Sequence, residues 1–416
     1  MKMFKKLATA AALSASLLAA PQAQTVPDVK IGVTFPLSGN SGNAGKSAVA
    51  AIEIAAEIIN KPQPGFESLP LGAGVGLPNL GGAKIKLVIA DHQGSPSEGQ
   101  AQTLRLITQE KVAGMVGAYQ SAVALTATAI AERYGVPFIV GDGVAANITE
   151  RGFKWTFRTT PIASDFANAY MEFLGELKKA GHPGDKIAIV FENTDYGVSV
   201  SGTIREIAKK RGVNIVADIA YSANGADVSA QVLQLKEKKP DAIIFISYTS
   251  DAILYMKTLK SLDYRPQLII GDNSGFSDPA FIKAVGELAE GAINRSAWSI
   301  GAKDSVTWRI NEMYKAKTGI DMDDTSGRDM QAFFVLAEAI NRAGSTKPEA
   351  IQAALQKTDL KANQLMMGYN GVKFDAKGQN VLASAYLIQL INSQYVSIWP
   401  AAAAEKPLVY PFKGWK

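Results

Sequence analysis

Apolar, β-branched runs of strand length alternate with segments of helical periodicity along most of the chain, and this alternation constrains the fold more than any other feature. The first block contains four strand-like runs and three helical patterns between them, at residues 29–35, 46–60, 84–90, 97–110, 112–117, 122–134 and 136–140. A repeated β-α order predicts a parallel sheet with helices on both faces.

The same alternation starts again after residue 185. The second block contains four strand-like runs and three helical patterns, at residues 186–191, 198–211, 213–220, 228–239, 242–247, 251–262 and 267–270. Two more strand-like runs follow at 383–391 and 394–399, and residues 401–416 are expected to be irregular. Each block is long enough for its own core, so we expect an α/β protein of two doubly wound parallel-sheet domains.

The N-terminus has the pattern of a secretory signal peptide. Lys2, Lys5 and Lys6 precede an apolar run at residues 7–20, and small and polar residues follow. This run is shorter than the roughly 20 residues that span a bilayer. We therefore expect residues 1–24 to be a signal peptide cleaved near residue 23. The chain contains no Cys, which excludes disulfides and a lipid-modified Cys, so a periplasmic location is expected.

The charge balance gives no indication of a nucleic-acid partner. The formal net charge is +5, and three of the positive charges lie in the predicted signal peptide. The remaining chain is close to neutral and has no concentrated basic patch of the kind that binds nucleic acid.

The sequence offers no recognisable catalytic, metal or cofactor motif. His92 and His182 are the only histidines and lack metal-ligand spacing; both are expected to be structural or solvated. The acidic run at 321–325 begins like a calcium loop but lacks the required Gly and Glu, so it is interpreted as a solvated loop before a helix. The Gly-rich part of residues 61–82 lacks a preceding strand and a following helix, so that segment is expected to be a long surface loop.

Polar and aromatic residues follow several predicted strands, at the place where open α/β sheets bind ligands. In the first block these residues are Tyr119, Gln120, Ser121, Asp142, Gly143 and Val144. In the second block they are Tyr196, Tyr248, Asp272 and Asn273. Ser121 at a helix start suits a carboxylate, because its hydroxyl lies near free N–H groups. Plain capping by Ser121 and a turn role for Asp142 remain alternatives.

The order of short motifs resembles the leucine/isoleucine/valine-binding type of periplasmic solute-binding proteins, over residues 29–399. The resemblance is carried by VKIGV at 29–33, LSG at 37–39, Asp91 leading to Pro96, YGVP at 134–137, FRT at 157–159, DYG at 195–197, KPDA at 239–242 and Glu290 with Gly291. It implies a receptor with two lobes joined by three crossing segments, which closes on a small solute and delivers it to an inner-membrane ABC permease.

The resemblance also implies domain bounds and site roles. Lobe one would comprise residues 26–159 and 298–372, and lobe two residues 160–297 and 373–416. Ser121 would hold the solute carboxylate, Tyr196 and Tyr248 would contact the solute, and Arg328 and Asp329 would face the cleft at a loop-to-helix junction. No cofactor and a monomeric state are implied.

Three positions depart from that family's pattern. Asn273 stands where amino-acid binders often place an acid, Ala44 replaces an aromatic residue, and Val144 replaces a hydroxyl residue. Asp142 or Asp272 would then have to neutralise a solute ammonium, since leaving it buried and unpaired costs several kcal/mol. The alternatives are a receptor for aromatic or keto carboxylates without an ammonium, and a ligand sensor for a membrane partner.

Overall fold

The computed structural model describes residues 26–415, so the predicted signal peptide lies outside the described residues. Its strands, numbered in chain order, are β1 Val29–Phe35, β2 Ile85–Asp91, β3 Gly114–Gly117, β4 Phe138–Val140, β5 Thr156–Arg158, β6 Lys186–Glu192, β7 Asn214–Tyr221, β8 Ala242–Ile246, β9 Ile269–Gly271, β10 Ile293–Ser296, β11 Asp359–Lys361, β12 Gly371–Lys373, β13 Tyr386–Ile391 and β14 Gln394–Trp399.

The α-helices connect most of these strands. They are α1 Gly42–Asn60, α2 Pro96–Thr108, α3 Ser121–Tyr134, α4 Ala163–Lys179, α5 Asp195–Arg211, α6 Ser229–Lys238, α7 Thr249–Ser261, α8 Ser274–Ser277, α9 Pro279–Val285, α10 Val306–Thr318, α11 Asp324–Ala343 and α12 Pro348–Gln356.

The strands form two large sheets. Sheet I has the order β2-β1-β3-β4-β5 and is parallel throughout. Sheet II has the order β14-β13-β10-β9-β8-β6-β7, in which β6 to β10 are parallel and the β13–β14 hairpin adds antiparallel strands at one edge. β11 and β12 pair separately as a small antiparallel sheet.

Both faces of each large sheet are covered because successive strand residues point to opposite sides. In β4, Ile139 belongs to the core under α1 and α11, whereas Phe138 and Val140 belong to the core under α2 and α3. In sheet II, Ile244 packs towards α4 and α5, and Phe245 packs towards α6 and α7. This arrangement confirms the predicted doubly wound α/β architecture.

The chain passes between the sheets at three places. It leaves β5 for α4, leaves β10 for α10, and leaves the β12 region for β13. Helices α10 and α11 pack against α1, and α11 also contacts β3 and β4, so the chain returns to sheet I after β10. Before the third passage, Phe374 contacts Phe157 with ring centroids 5.1 Å apart, and the Arg158 N–H donates to the Gly378 carbonyl.

One sequence-based expectation needs correction, and some strands were not predicted. Residues 61–82 form no α-helix, but they are not a simple surface loop, because Phe66, Leu69 and Leu77 are buried in the main core. β5 and β10 were not predicted, since each is three or four residues long and rich in polar side chains. Among residues 26–415, no helix combines the length and apolar character needed to cross a bilayer.

Candidate functional site

A small polar cavity lies where loops from both large sheets meet. Apart from Arg295, which lies within β10, its lining residues follow strands or begin helices of either half. The full set is Tyr119, Ser121, Asp142, Gly143, Val144, Tyr196, Tyr248, Ser274 and Arg295. Seven of these nine were singled out from the sequence; Ser274 and Arg295 were not. Among the lining residues, Ser121 begins a helix that follows a strand of sheet I, and Tyr196 lies in a helix that follows a strand of sheet II.

Ser121 lies at the first turn of α3, where helix N–H groups lack intrahelical acceptors. The structure places Gln120 at the N-cap, with extended backbone and no side-chain capping bond, so the predicted N-cap role of Ser121 is wrong by one residue. The Ser121 hydroxyl accepts a 3.3 Å hydrogen bond from the Ala145 N–H. The hydroxyl is therefore tied to the neighbouring loop, beside the positive end of the α3 dipole.

The loop 142–145 is fixed from behind by Arg158. This fully buried guanidinium donates to the carbonyls of Gly143 and Ala145 at 3.2 and 2.7 Å, and to Gln379 Oε1 at 2.7 Å. Burial lowers the pKa of Arg158 to about 9, so it remains protonated at neutral pH. Arg158 thereby sets the position of a cavity wall that it does not line.

Three tyrosines form the aromatic part of the cavity. The Tyr248 ring lies between the other two, with its centroid 5.8 Å from that of Tyr119 and 5.5 Å from that of Tyr196. These separations fall within the usual range of favourable aromatic pairs. Since Tyr119 follows a strand of sheet I and the other two follow strands of sheet II, the cluster bridges the sheets.

Asp272 is engaged by three side chains of the same half. Arg295 Nε and Nη2 donate to its two carboxylate oxygens at 2.9 and 3.3 Å, Tyr196 donates to Oδ2 at 2.8 Å, and Tyr170 donates to Oδ1. The Arg295 guanidinium also lies 3.5 Å from the centroid of the Phe166 ring. Burial alone would lower the pKa of Arg295, but the Asp272 carboxylate outweighs it and the pKa rises. Asp272 is thus already neutralised.

Asn273 and Arg328 connect the sheets. Arg328 Nη2 donates a 2.6 Å hydrogen bond to Asn273 Oδ1, while Asn273 Nδ2 donates to Asp324 Oδ2 at 2.8 Å. Arg328 also forms ion pairs with Asp142 and, with Nε and Oδ2 2.9 Å apart, with Asp324. Both Arg328 and Asp329 lie inside α11, not at the predicted loop-to-helix junction.

Asp324 anchors the second passage between the sheets. Its Oδ1 accepts from the Ser296 hydroxyl at 2.9 Å and from the Ala297 N–H at 2.7 Å. The predicted solvated loop at 321–325 is therefore only partly correct, because Asp321 is exposed but Asp324 is buried inside α11. Asp323 is the N-cap of that helix and accepts a 2.9 Å bond from the Ser326 N–H.

Asp329 is a buried carboxyl group without a hydrogen-bond partner on either oxygen within residues 26–415. It packs so closely on Gly141 that a Cβ at that position would overlap both the carboxylate and the α11 backbone. Burial raises the pKa of Asp329 well above its usual value, and the Asp142 carboxylate adds to the shift. Burial also raises the pKa of Asp142 to about 6, although the Arg328 ion pair opposes this.

The other predicted residues lie near the cavity without lining it. Gln120, Asp272, Asn273, Arg328 and Asp329 are all buried. Asp272, Asn273 and Arg328 belong to the polar networks just described. His92 is fully buried, and its Nδ1 accepts a 3.1 Å bond from the Gly94 N–H. His182 is exposed, as expected for a turn.

The space left between the lining residues is small. It amounts to about 10 Å³, room for a single water molecule at most. A solute therefore requires the two sheets to move apart or the lining side chains to move before it enters.

Residues 28–394 match the family model described as periplasmic binding protein. The chain belongs to the periplasmic binding protein family. The match confirms the resemblance drawn from the sequence motifs. A curated relative, Leu/Ile/Val-binding protein homolog 7 of Brucella abortus (strain 2308), is 32% identical over 412 residues, which cover 96% of this chain and 98% of the relative.

Solved structures of a substrate binding protein and a solute binding protein share the fold. The branched-chain amino acid transporter substrate binding protein LivJ from Streptococcus pneumoniae, in complex with isoleucine, has a TM-score of 0.75 at 23% identity and covers 92% of this chain and 100% of that one. A solute binding protein of an ABC transporter from Rhodopseudomonas palustris BisB5 was solved in complex with 3,4-dihydroxy benzoic acid. It has a TM-score of 0.74 at 19% identity, and the match covers 91% of this chain and 99% of that one.

Proposed function

We propose that this periplasmic binding protein is a non-catalytic receptor that captures a small amino acid or related carboxylate in a cleft and delivers it to an inner-membrane ABC permease. The observation that carries the proposal is the polar cavity lined by residues from both sheets. A solute held there contacts both halves at once, so its binding favours the closed state over the open one.

The two halves are proposed to be lobes with the bounds implied by the resemblance, residues 26–159 with 298–372 and residues 160–297 with 373–416. The contacts of Phe374 and Gly378 with β5 favour placing the third crossing nearer residue 383. The receptor is proposed to act as a monomer in the periplasm after removal of residues 1–24.

The solute carboxylate is proposed to bind beside Ser121. The first turn of α3 offers N–H groups and a partial positive charge, and the Ser121 hydroxyl lies in the cavity wall. Together these favour an anionic group at that end of the cleft. Gly143 and Val144 supply adjacent backbone, and Tyr196 and Tyr248 close the opposite side.

The charge balance around the cavity favours a solute that carries an ammonium group. Two guanidinium groups face four buried carboxyl groups, those of Arg295, Arg328, Asp142, Asp272, Asp324 and Asp329. Burial raises the pKa of Asp329, and without this group three carboxyl groups face two guanidinium groups, an excess of one acidic group. Asp142 lines the cavity and shares Arg328 with Asp324, so an ammonium beside Asp142 would balance that charge.

A second candidate is a receptor for aromatic carboxylates, and the cluster of Tyr119, Tyr196 and Tyr248 is the observation that favours it. The Rhodopseudomonas palustris relative was solved with such a compound. A ligand sensor that reports to a membrane partner would use the same cleft.

Calorimetric titration of stripped, refolded protein tests these candidates. Leucine and its 2-oxo analogue share the carboxylate and carbon skeleton and differ in the amine; benzoate lacks both the amine and the aliphatic skeleton. Binding of amino acids in preference to the 2-oxo acid, lost in Asp142→Asn, supports the ammonium site. Preference for benzoate or the 2-oxo acid would replace it with the second candidate. A silent titration with all amino acids and carboxylates would contradict the proposed function.

A further inference from the structure

The lining of the cavity is polar, although the relatives described above include proteins named for aliphatic amino acids. Of the described residues that line it, Val144 alone has an aliphatic side chain. A pocket for the side chain of leucine or valine would present mainly apolar atoms, because a buried aliphatic group gains from contact with apolar surface. The cavity wall therefore does not match such a side chain.

Arg295 is the strongest hydrogen-bond donor in this wall. Its Nε and Nη2 are taken by Asp272, and within the described chain Nη1 donates no hydrogen bond. The guanidinium is held in place by Asp272 on one side and by the Phe166 ring on its face. Because Arg295 is 2% exposed, solvent has little access to the remaining N–H groups. They are placed to serve an acceptor that enters the cavity.

Ser274 lies in the same wall and is the first residue of α8, two positions after Asp272. The Ser274 hydroxyl can both donate and accept a hydrogen bond. A solute group that accepts from Arg295 can therefore also donate to Ser274. Carboxamides and hydroxyls each combine a hydrogen-bond donor and a hydrogen-bond acceptor in one group.

The charge at this end of the cavity selects a neutral group. Arg295 is already paired with Asp272, with Nε and Oδ1 2.9 Å apart. A second carboxylate would sit beside that of Asp272 and add to the excess negative charge of the site. A solute cation there would instead face the guanidinium. A neutral acceptor pairs with the free N–H groups without adding charge.

We infer that Arg295 and Ser274 form a subsite for a neutral hydrogen-bonding side chain, so that this receptor selects a small carboxamide or hydroxyl amino acid over its aliphatic isostere. The inference rests on the proposed function and specifies its solute class. A site built to hydrogen-bond a polar group strongly rejects the analogue that lacks it, because the buried donors of the site are then left unpaired.

Calorimetry with isosteric pairs tests the inference without any change to the protein. Asparagine and leucine have nearly the same shape, as do threonine and valine. At least one polar member is expected to bind roughly 10²-fold more tightly than its aliphatic partner. Aspartate, which has the shape of asparagine and an additional charge, is expected to bind more weakly than asparagine.

The outcomes separate the two proposals. Equal or tighter binding of leucine and valine would overturn the subsite while leaving the amino-acid receptor intact. Tighter binding of aspartate than of asparagine would overturn the selection of a neutral group. Absence of binding by every amino acid of the panel would overturn the proposed function, and the subsite with it.

A conservative variant assigns the preference to Arg295. Arg295→Lys keeps the positive charge opposite Asp272 but removes the additional N–H groups of the guanidinium. The ratio of polar to aliphatic affinity is expected to fall by about tenfold or more, and an unchanged ratio would contradict the role of Arg295. Arg205→Lys is the matched control, since Arg205 forms a two-point ion pair with Asp218 on the exposed surface of the same sheet. Thermal unfolding of both variants verifies that they are folded.

Discussion

The Arg328 guanidinium donates a 2.6 Å hydrogen bond to the Asn273 side chain, and this bond joins a helix packed on sheet I to a loop that follows a strand of sheet II. Asn273 is fully buried and has a positive φ of 57°. The bond is made only when the two halves are close together. The residue that departs from the family's acidic pattern is therefore part of the closed interface.

Asn273→Gly is expected to weaken closure. The change removes the amide without adding strain at a positive φ, and it leaves Arg328 short of one buried acceptor. Hydrogen bonds to charged groups contribute about 1.5–3 kcal/mol, so solute affinity is expected to fall roughly 10- to 100-fold. Small-angle scattering should show a larger radius of gyration in the variant. Asn224→Gly is the control, because Asn224 has a similar φ of 61° in an exposed turn. An unchanged affinity in Asn273→Gly would contradict the role of this bond.

Ser121→Ala is expected to reduce affinity for the solute carboxylate about tenfold, because one hydrogen bond from a neutral hydroxyl to a charged carboxylate is lost. The hydroxyl is not a helix cap, so within the fold the change removes only the 3.3 Å bond from the Ala145 N–H, and the protein should still fold. Calorimetry provides the affinity. Ser305→Ala offers a contrast: the Ser305 hydroxyl caps α10 by accepting from the Trp308 N–H at 3.2 Å, so its loss should lower stability by about 1 kcal/mol and leave binding unchanged. A similar affinity loss in both variants would argue against a local role for Ser121.

His92 is expected to make the fold sensitive to acid. Burial lowers the pKa of His92 to about 4, below its unfolded value near 6.5. A depressed folded pKa contributes stability that is present above pH 6.5 and is lost as the pH falls towards 4. The free energy of unfolding should therefore fall by about 2–3 kcal/mol more in the native chain than in His92→Asn over that range. His182→Asn, at an exposed site, should follow the native chain. Parallel stability curves for native and His92→Asn proteins would refute the assignment.

Asp329 is expected to make the fold less stable at high pH, whereas His92 makes it less stable at low pH. Burial raises its pKa above the unfolded value, so its contribution to stability is present below about pH 4 and is lost as the pH rises through the folded pKa. Asp329→Asn removes the ionisation and should be more stable than the native chain at pH 8 by about 1–3 kcal/mol. At pH 4 this difference should disappear. Chemical denaturation at both pH values measures it, with Asp263→Asn as an exposed control. A difference independent of pH would show that folding does not shift the pKa of Asp329.

The periodicity of the sequence predicted the two sheets and the helices α1, α2, α3, α5, α6 and α7, because apolar spacing depends on local geometry, but it gave no bounds for α4 or for α8 to α12. For example, the predicted strand at 242–247 agrees with β8 within one residue, and the helix predicted at 122–134 agrees with α3 within one. Short polar strands cannot be predicted from apolar periodicity. For example, β10 has the sequence INRS and no apolar alternation. Arg295 was missed for that reason, although it lines the cavity.

The partners of the predicted site residues could not be obtained from the sequence either. Asp272 and Asp142 were equally good candidates for an ammonium partner, and only the three-dimensional contacts show that Asp272 is taken by Arg295. These two residues are 23 positions apart. Likewise, the position of Asp329 against Gly141 depends on how α11 packs on sheet I, which no local pattern encodes.

The near-absence of free space in the closed cavity has a kinetic consequence. With room for one water molecule at most, the closed state has no route by which a solute enters. Solute can then bind only while the protein is open, and a collision with the closed protein does not lead to binding. At low solute concentration capture is proportional to concentration, but at high concentration its rate levels off at the frequency with which the empty protein opens. The tight closed interface that favours a high solute affinity would in this way also limit the rate of capture.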